Sequence, residues 1–273
     1  MTTINNIASI GIAHRYGKIA PALNKSIQKI ASGLRIPNAA ADPAGLAVSK
    51  MMEAENVSFQ QALRNTNDGV SMVQTAEGTL DQGTQILTRM RELSVQSSNG
   101  IYNSEDRAIM DTEFQELSQE FDRISGNANF NDIDLFSSSG TVSIQVGGDA
   151  NPSNQIDINL GNLAMDSTTL GFAGASLSSQ GGAEGAISQI DTALEGLSER
   201  RAELGATQNR LTSSYDSVTN YSENLVAANA QISDLDYALE SSVNSQFLLR
   251  QKAMLAAQAQ AKQMSENAMS LIS

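Results

Sequence analysis

From Ile190 to Leu239 an apolar residue falls at every seventh position: Ile190, Leu197, Leu204, Leu211, Val218, Leu225, Ile232 and Leu239. Leu194 and Tyr215 lie beside that line, the positions between are mostly polar, and no Pro interrupts it. Seven-residue spacing sustained this long predicts a helix that keeps one face against partner helices. At about 1.5 Å per residue it is a rod of roughly 75 Å. That exceeds the width of a small globular domain, so other segments of the chain are expected to lie along it.

The N-terminal part supplies them. Ile4, Ile7, Ile12, Ile19, Leu23, Ile27, Ile30 and Leu34 trace an apolar stripe at helical spacing. Gly33, which can turn left-handed, and Pro37, which pushes Ile36 out of the helical region, end this element. Asp42-Pro43 restarts one, with Asp at the N-cap and Pro at the first helical position. From there to about Asn99, Phe59, Thr66, Val73, Leu80 and Leu87 are seven apart, and Ala62, Gly69, Ala76, Gly83 and Met90 follow three residues after each. A row of large residues beside a row of small ones predicts close approach of a partner helix, which must offset the helix-propensity cost of the glycines. Asn99-Gly100 breaks this helix. Asn103 and Asp106 can cap the next, whose apolar face is Met110, Phe114, Leu117, Phe121 and Ile124 and which Gly126 closes.

Between about 127 and 182 Ser, Gly, Asn and Asp dominate. Val142/Ile144/Val146 and Ile156/Ile158/Leu160 alternate at strand period around the turn residues Gly147 to Pro152, predicting a β-hairpin as the only non-helical part. Beyond Ile232 the heptad phase slips at Asp234 and Asp236. A new frame follows with Phe247, Met254, Ala261 and Ala268, and with Ala257, Met264 and Leu271 three residues on. This last helix is rich in Ala and Gln and has a weak apolar face. It needs tertiary packing to hold, against the other end of the chain or another subunit.

Composition narrows the function. The chain has 273 residues, no Trp and four Pro, which favours long helices with thin cores. A net charge of −13 argues against nucleic acid. The absence of Cys removes disulfides and thiolate ligands. No run of about 20 apolar residues predicts a membrane span. Met1 to Gly33 lacks the apolar block and cleavage site of a secretory signal, so these features alone predict a cytoplasmic protein. Residues 1–41 hold Arg15, Lys18, Lys25, Lys29 and Arg35 and no acid, which predicts a first helix packed against acidic helices of its own or a neighbouring chain, in preference to a nucleic-acid or membrane arm. His14 is the single histidine, too few for a triad or a histidine metal site. The carboxylate pairs Glu53/Glu55 and Glu199/Glu203 read as solvated helix faces. Gly147-Gly148 and Gly181-Gly182 lack the Lys of a phosphate loop, and Met51, Met52, Met254 and Met264 read as packing residues. No catalytic residue, cofactor site or metal site is predicted, and the chain is not read as an enzyme.

Several motifs carry a resemblance. Ala31-Ser32-Gly33-Leu34-Arg35-Ile36 with Asp42-Pro43-Ala44-Gly45-Leu46-Ala47 resembles the N-terminal signature of bacterial flagellins. Arg64-Asn65-Thr66-Asn67-Asp68-Gly69, Gln74-Thr75-Ala76-Glu77-Gly78-Thr79-Leu80 and Arg89-Met90-Arg91-Glu92-Leu93-Ser94-Val95-Gln96-Ser97 are similar to that family too. So are Asn129-Phe130-Asn131, Ser143-Ile144-Gln145-Val146-Gly147 and Leu204-Gly205-Ala206. Gln208-Asn209-Arg210-Leu211, Ile232-Ser233-Asp234-Leu235-Asp236-Tyr237 and Ser270-Leu271-Ile272-Ser273 complete the match, which spans nearly the whole chain in order.

The resemblance implies a mainly α fold: a long antiparallel helical rod or coiled-coil bundle with a small β-hairpin region and the terminal helices paired as a coiled coil. It implies an inner coiled-coil domain from 1–41 and 233–273, a rod domain from 42–138 and 183–232, and a short variable segment at 139–182, where many relatives insert outer domains. The expected function is a subunit that polymerises into the flagellar filament for swimming; the alternative is a hook–filament junction protein. Export without a cleaved signal would place it outside the cell. The implied partners are other subunits, an export chaperone gripping roughly 235–273, and the filament cap and hook-associated proteins. An innate immune receptor would contact Arg89, Leu93 and Glu113. Expected inner-core packing residues are Ile12, Ile19, Leu23, Ile30, Met254, Ala261, Met264 and Leu271. Expected rod-packing residues are Phe59, Val73, Leu80, Leu87, Leu197, Leu204, Leu211 and Val218. Ser and Thr between 137 and 180 are the expected glycan acceptors.

Overall fold

The computed structural model describes residues 7–136 and 140–270. Five helices dominate: α1 (Ile7–Ser32), α2 (Pro43–Ser98), α3 (Ser104–Asn127), α4 (Gln180–Ser233) and α5 (Tyr237–Ser270). Two antiparallel hairpins separate α3 from α4: β1 (Asn129–Phe130) with β2 (Ile133–Asp134), and β3 (Thr141–Gln145) with β4 (Gln155–Asn159). The chain divides into two compact units, residues 1–54 with 224–273 and residues 55–223. These divisions fall inside the segments expected to form the rod.

In the larger unit the heptad lines hold. Along α2, Ala62, Thr66, Gly69, Val73, Ala76, Leu80, Gly83, Leu87 and Met90 are buried in strict four–three alternation. Along α4, Ala183, Ala186, Ile190, Ala193, Leu197, Leu204, Thr207 and Leu211 follow the same spacing, broken only at Arg200, which is half-buried. Burying each of these leucines contributes roughly 1.5–3 kcal/mol. Gly83 marks the tightest point, since a Cβ there would stand 2.4 Å from Met165 Cε and 3.1 Å from Phe121 Cε2. Thr66 Oγ1 and Ser94 Oγ donate to the carbonyls of Ala62 and Met90 one turn back, so these buried hydroxyls are satisfied. Beyond Leu211 the line weakens: Val218 and Phe59 are half-buried, and Phe59 meets the ring edge of Tyr221 at 4.9 Å between centroids.

The β3–β4 hairpin pairs Val142 with Ile158 and Ile144 with Ile156, as the alternation predicts. The β1–β2 hairpin was not predicted. It turns through Asn131 (φ 49°) and Asp132 (φ 62°), two residue types that tolerate the left-handed region a two-residue hairpin loop requires. The larger departure is residues 160–179, a strap that opens on a 3-10 turn (Leu160–Leu163) and holds no α-helix, with Leu160, Leu163, Met165, Leu170, Phe172, Ala175 and Leu177 all buried in the helical core. Helix α3 holds it by its backbone. Asp122 accepts from Ser167 N and Oγ, both at 2.7 Å; Asp111 accepts from Leu177 N at 2.6 Å; Gln115 Nε2 donates to Ala175 O at 2.8 Å. Arg200 Nε donates to Ala164 O and Ser97 Oγ to Leu177 O, both at 2.9 Å. The segment expected to be short and variable is therefore in large part core.

In the smaller unit the helix ends follow their signals. Gly33 (φ 69°) closes α1 with its N–H on Lys29 O, and Asp42 Oδ1 accepts from Gly45 N at 3.0 Å as the cap of α2. The line from Ile190 to Leu239 is not one helix. It stops at Ser233 because Asp236 caps a new helix, accepting from Leu239 N at 2.9 Å, and the break between them is pinned to the exit of α1. Arg35 N donates to Ser233 O at 2.7 Å and Leu235 N to Gly33 O at 3.1 Å. Leu239 thus belongs to α5, where it is 64% exposed.

Candidate functional site

Two surfaces concentrate the chain's interaction chemistry: the α1–α5 pair and the ridge where α3 lies on α2. The helices α1 and α5 run antiparallel, and their seam sets polar bonds among apolar residues. Lys29 Nζ donates to Glu240 Oε2 at 3.4 Å, Asn244 Nδ2 to Ser26 Oγ at 3.4 Å, and Gln251 Nε2 to Tyr16 Oη at 3.3 Å. Tyr237 Oη adds a bond to Ile30 O at 3.1 Å. On α1 the covered residues include Leu23 and Ser26, with Ile19 and Ile30 half-buried; Ile27, expected in the stripe, is exposed, as is Leu34. Ser26 holds the inward position that the sequence pattern gives to Ile27.

On α5 the half-buried line contains Glu240, Asn244, Phe247, Gln251, Met254, Gln258 and Ala261. The frame through Phe247, Met254 and Ala261 is the expected one. The companion row is not: Gln251 and Gln258 sit four residues on, in place of Ala257 and Met264 three residues on. Ala257 is exposed and Met264 is 68% exposed, so neither is covered by α1. The side chain of Ile12 and the whole of Leu271 lie outside the described residues. The side-chain amides of α5 find polar partners on α1, and several large apolar residues of α5 point elsewhere. Leu248, Leu249 and Leu255 are exposed, Leu249 to 67%.

On the ridge, Arg89 Nε and Nη2 both donate to Glu113 Oε1, at 3.0 and 2.8 Å, and Nη1 donates to Glu92 Oε2 at 3.1 Å. These bonds, from Glu113 foremost, raise the Arg89 pKa further above its ordinary value. All three side chains are exposed, so the pairs are screened and weak. The structure thus joins Arg89 and Glu113 on one surface. Leu93 is not part of that surface: it is 2% exposed and packed in the core of the unit. The four–three alternation of α2 continues at Ser94, so Leu93 stands beside that line and only its burial assigns it to packing. Arg91 Nε donates to Asp191 Oδ1 at 2.6 Å, tying α2 to α4, and Arg201 reaches Glu77 and Asp81.

The remaining chemistry is sparse. Lys50 bonds Glu53, and Asn162 Nδ2 bonds Glu203. Among the described residues no group of three His, Cys, Asp or Glu side chains could hold a metal ion, and no helix is long and apolar enough to cross a membrane. A shallow groove of about 420 Å³ between the β3–β4 hairpin and α4 is lined by Val146, Ile156 and Arg210 among others.

The family model of the bacterial flagellin N-terminal helical region matches residues 4–141, and that of the C-terminal helical region matches residues 187–272. A flagellin of Halalkalibacterium halodurans is 40% identical over 249 residues, covering 91% of each chain. A 30.7 kDa flagellar filament core protein of Treponema maltophilum is 35% identical over 282 residues, covering 98% of this chain and 99% of its own. The crystal structure of Bacillus cereus flagellin superposes with a TM-score of 0.50 at 30% identity, over 61% of this chain and 94% of that one.

Proposed function

The chain belongs to the bacterial flagellin family and is a structural subunit of the flagellar filament rather than an enzyme, and from that premise we propose how its surfaces divide the work of assembly. Nothing in the comparisons favours a hook–filament junction role. The polar seam pairs α1 with α5 in register, and the apolar residues that α5 turns away from α1 are covered by neighbouring subunits as the inner layer forms. The unit of residues 55–223, with its apolar core and buried strap, makes the rod layer. Before assembly the same exposed face of α5 is the grip of an export chaperone, and export proceeds without a cleaved signal to a site outside the cell, where cap and hook-associated proteins bound the filament. Recognition by an innate immune receptor runs through Arg89 and Glu113.

The observation that carries this reading is the exposure of Leu248, Leu249 and Leu255 on a helix that turns Asn244, Gln251 and Gln258 toward α1 beside Phe247, Met254 and Ala261. Exposed apolar side chains of this size on a subunit of a polymer mark the surface it buries. The test is seeded polymerisation of Leu249→Glu/Leu255→Glu, imaged by electron microscopy. The expected result is loss of filaments with monomer circular dichroism unchanged, since neither side chain holds the monomer together. Filaments formed as readily as by the parent chain overturn the assignment.

A further inference from the structure

We propose that Asn99 is a site of intramolecular deamidation in the folded chain, and that the carboxylate it yields becomes the charge partner of the buried Arg107. This inference is independent of the assembly reading. Asn99-Gly100 is the one Asn-Gly pair in the sequence, and it forms the turn between α2 and α3. Both residues are exposed, and a Cβ on Gly100 would meet open space. Among the described residues the Gly100 N–H has no hydrogen-bond partner, so the nucleophile of the reaction is free. The Asn99 side-chain oxygen accepts from Ile101 N at 3.3 Å, which polarises the amide carbon to be attacked, and its NH2 group is held by nothing in the turn.

The chemistry balances without an oxidant or a second protein. The Gly100 nitrogen gives its proton to solvent base and bonds to Asn99 Cγ. The Cγ–Nδ2 bond breaks, and Nδ2 leaves as ammonia from a five-membered succinimide. Water then adds to one of the two ring carbonyls. Opening at Cγ gives aspartate. Opening at the former main-chain carbonyl gives isoaspartate, in which the chain runs through Cβ and Cγ and the former carbonyl carbon carries a free carboxylate.

Arg107 sets the preference between the two. Its Nη2 donates to the Asn99 main-chain oxygen at 3.0 Å, the residue is 7% exposed, and its Nη1 is buried with no partner. A buried guanidinium with an orphaned donor is costly. Isoaspartate converts the very carbonyl that Arg107 holds into a carboxylate, offering a second oxygen to a group whose planar fork matches two. Asn103, four residues on, is the contrast. Its side chain is engaged in a capping box with Asp106, and Ser104 follows it.

The test ages the purified full-length chain in mildly alkaline buffer and reads the tryptic peptide that ends at Arg107 and begins after Arg91. The expected result is the mass gain of an NH2-to-OH exchange at Asn99 and not at Asn103, growing with time. Isoaspartate, read by an isoaspartyl methyltransferase, should be a larger share of the product than in the urea-unfolded chain. In Gly100→Ala, which has room for its methyl group and should keep the parent circular dichroism, the gain should be lost. A folded chain that stays unmodified at Asn99 while the urea-unfolded chain is converted overturns the proposal, as does an undiminished gain in Gly100→Ala. An isoaspartate share no greater than that of the urea-unfolded chain overturns the role given to Arg107.

Discussion

At the scale of single residues, charge pairs join elements far apart in sequence, and their protonation sets a pH dependence. The bond from Arg91 holds the Asp191 carboxyl below the usual carboxylate range, burial opposing it only in part. Asp166 is lowered too: burial pulls it upward, but bonds from the Thr169 hydroxyl and amide and the Thr168 amide, with Arg200 nearby, outweigh that pull. A group whose folded pKa is depressed contributes stability that is fully present above its unfolded value, near pH 4. That contribution is lost as pH falls through the lower folded value. Thermal melts of Asp191→Asn should therefore fall slightly below those of the parent at neutral pH and converge with them in acid. A constant gap down to the lowest pH would mean that Asp191 acts through packing and not through its charge.

Among the elements, the stripes that a heptad pattern can express were legible. Leu80, Leu87, Leu197, Leu204 and Leu211 occupy the core positions their spacing predicts, because a long amphipathic helix has only one face to bury. The strap of residues 160–179 was not legible. Its buried residues follow neither the helical period nor a plain strand alternation, and Asp111, Gln115 and Asp122 of α3 anchor its backbone. Those three residues read as an ordinary solvated helix face until the strap is seen. Leu93 escaped as well, because the α2 alternation runs on through Ser94 and gives no inward place to its neighbour, which is nonetheless 2% exposed. The row of Asn244, Gln251 and Gln258 also escaped, since pattern reading assigns inward positions to apolar residues. A polar seam lowers stability and fixes register. Asn244→Leu/Gln251→Leu should therefore raise the helical content and melting temperature of the isolated chain while slowing its incorporation into seeded filaments. Faster incorporation would show that the amides do not set the pairing.

For the whole molecule, the basic start of the chain sets a question of partners that the structure divides in two. The sequence assigns Lys25 and Lys29 alike to acidic helices, of the same chain or of a neighbour. Lys29 has its acid at home, with Glu240 on α5 at 3.4 Å and both side chains largely covered, at 24% and 14% exposure. Lys25 is exposed. The two should therefore respond differently to charge reversal. Lys29→Glu places like charges together on the seam and should loosen the α1–α5 pair in the isolated chain, a loss that Glu240→Lys in the same chain restores. Lys25→Glu should leave the isolated chain unchanged and weaken only filament growth, and Glu240→Lys should not rescue it. The comparison is circular dichroism of the monomer against the rate of seeded elongation. Rescue of both variants by Glu240→Lys would place both lysines on the seam, and rescue of neither would mean that the Lys29–Glu240 pair does not hold the helices in register.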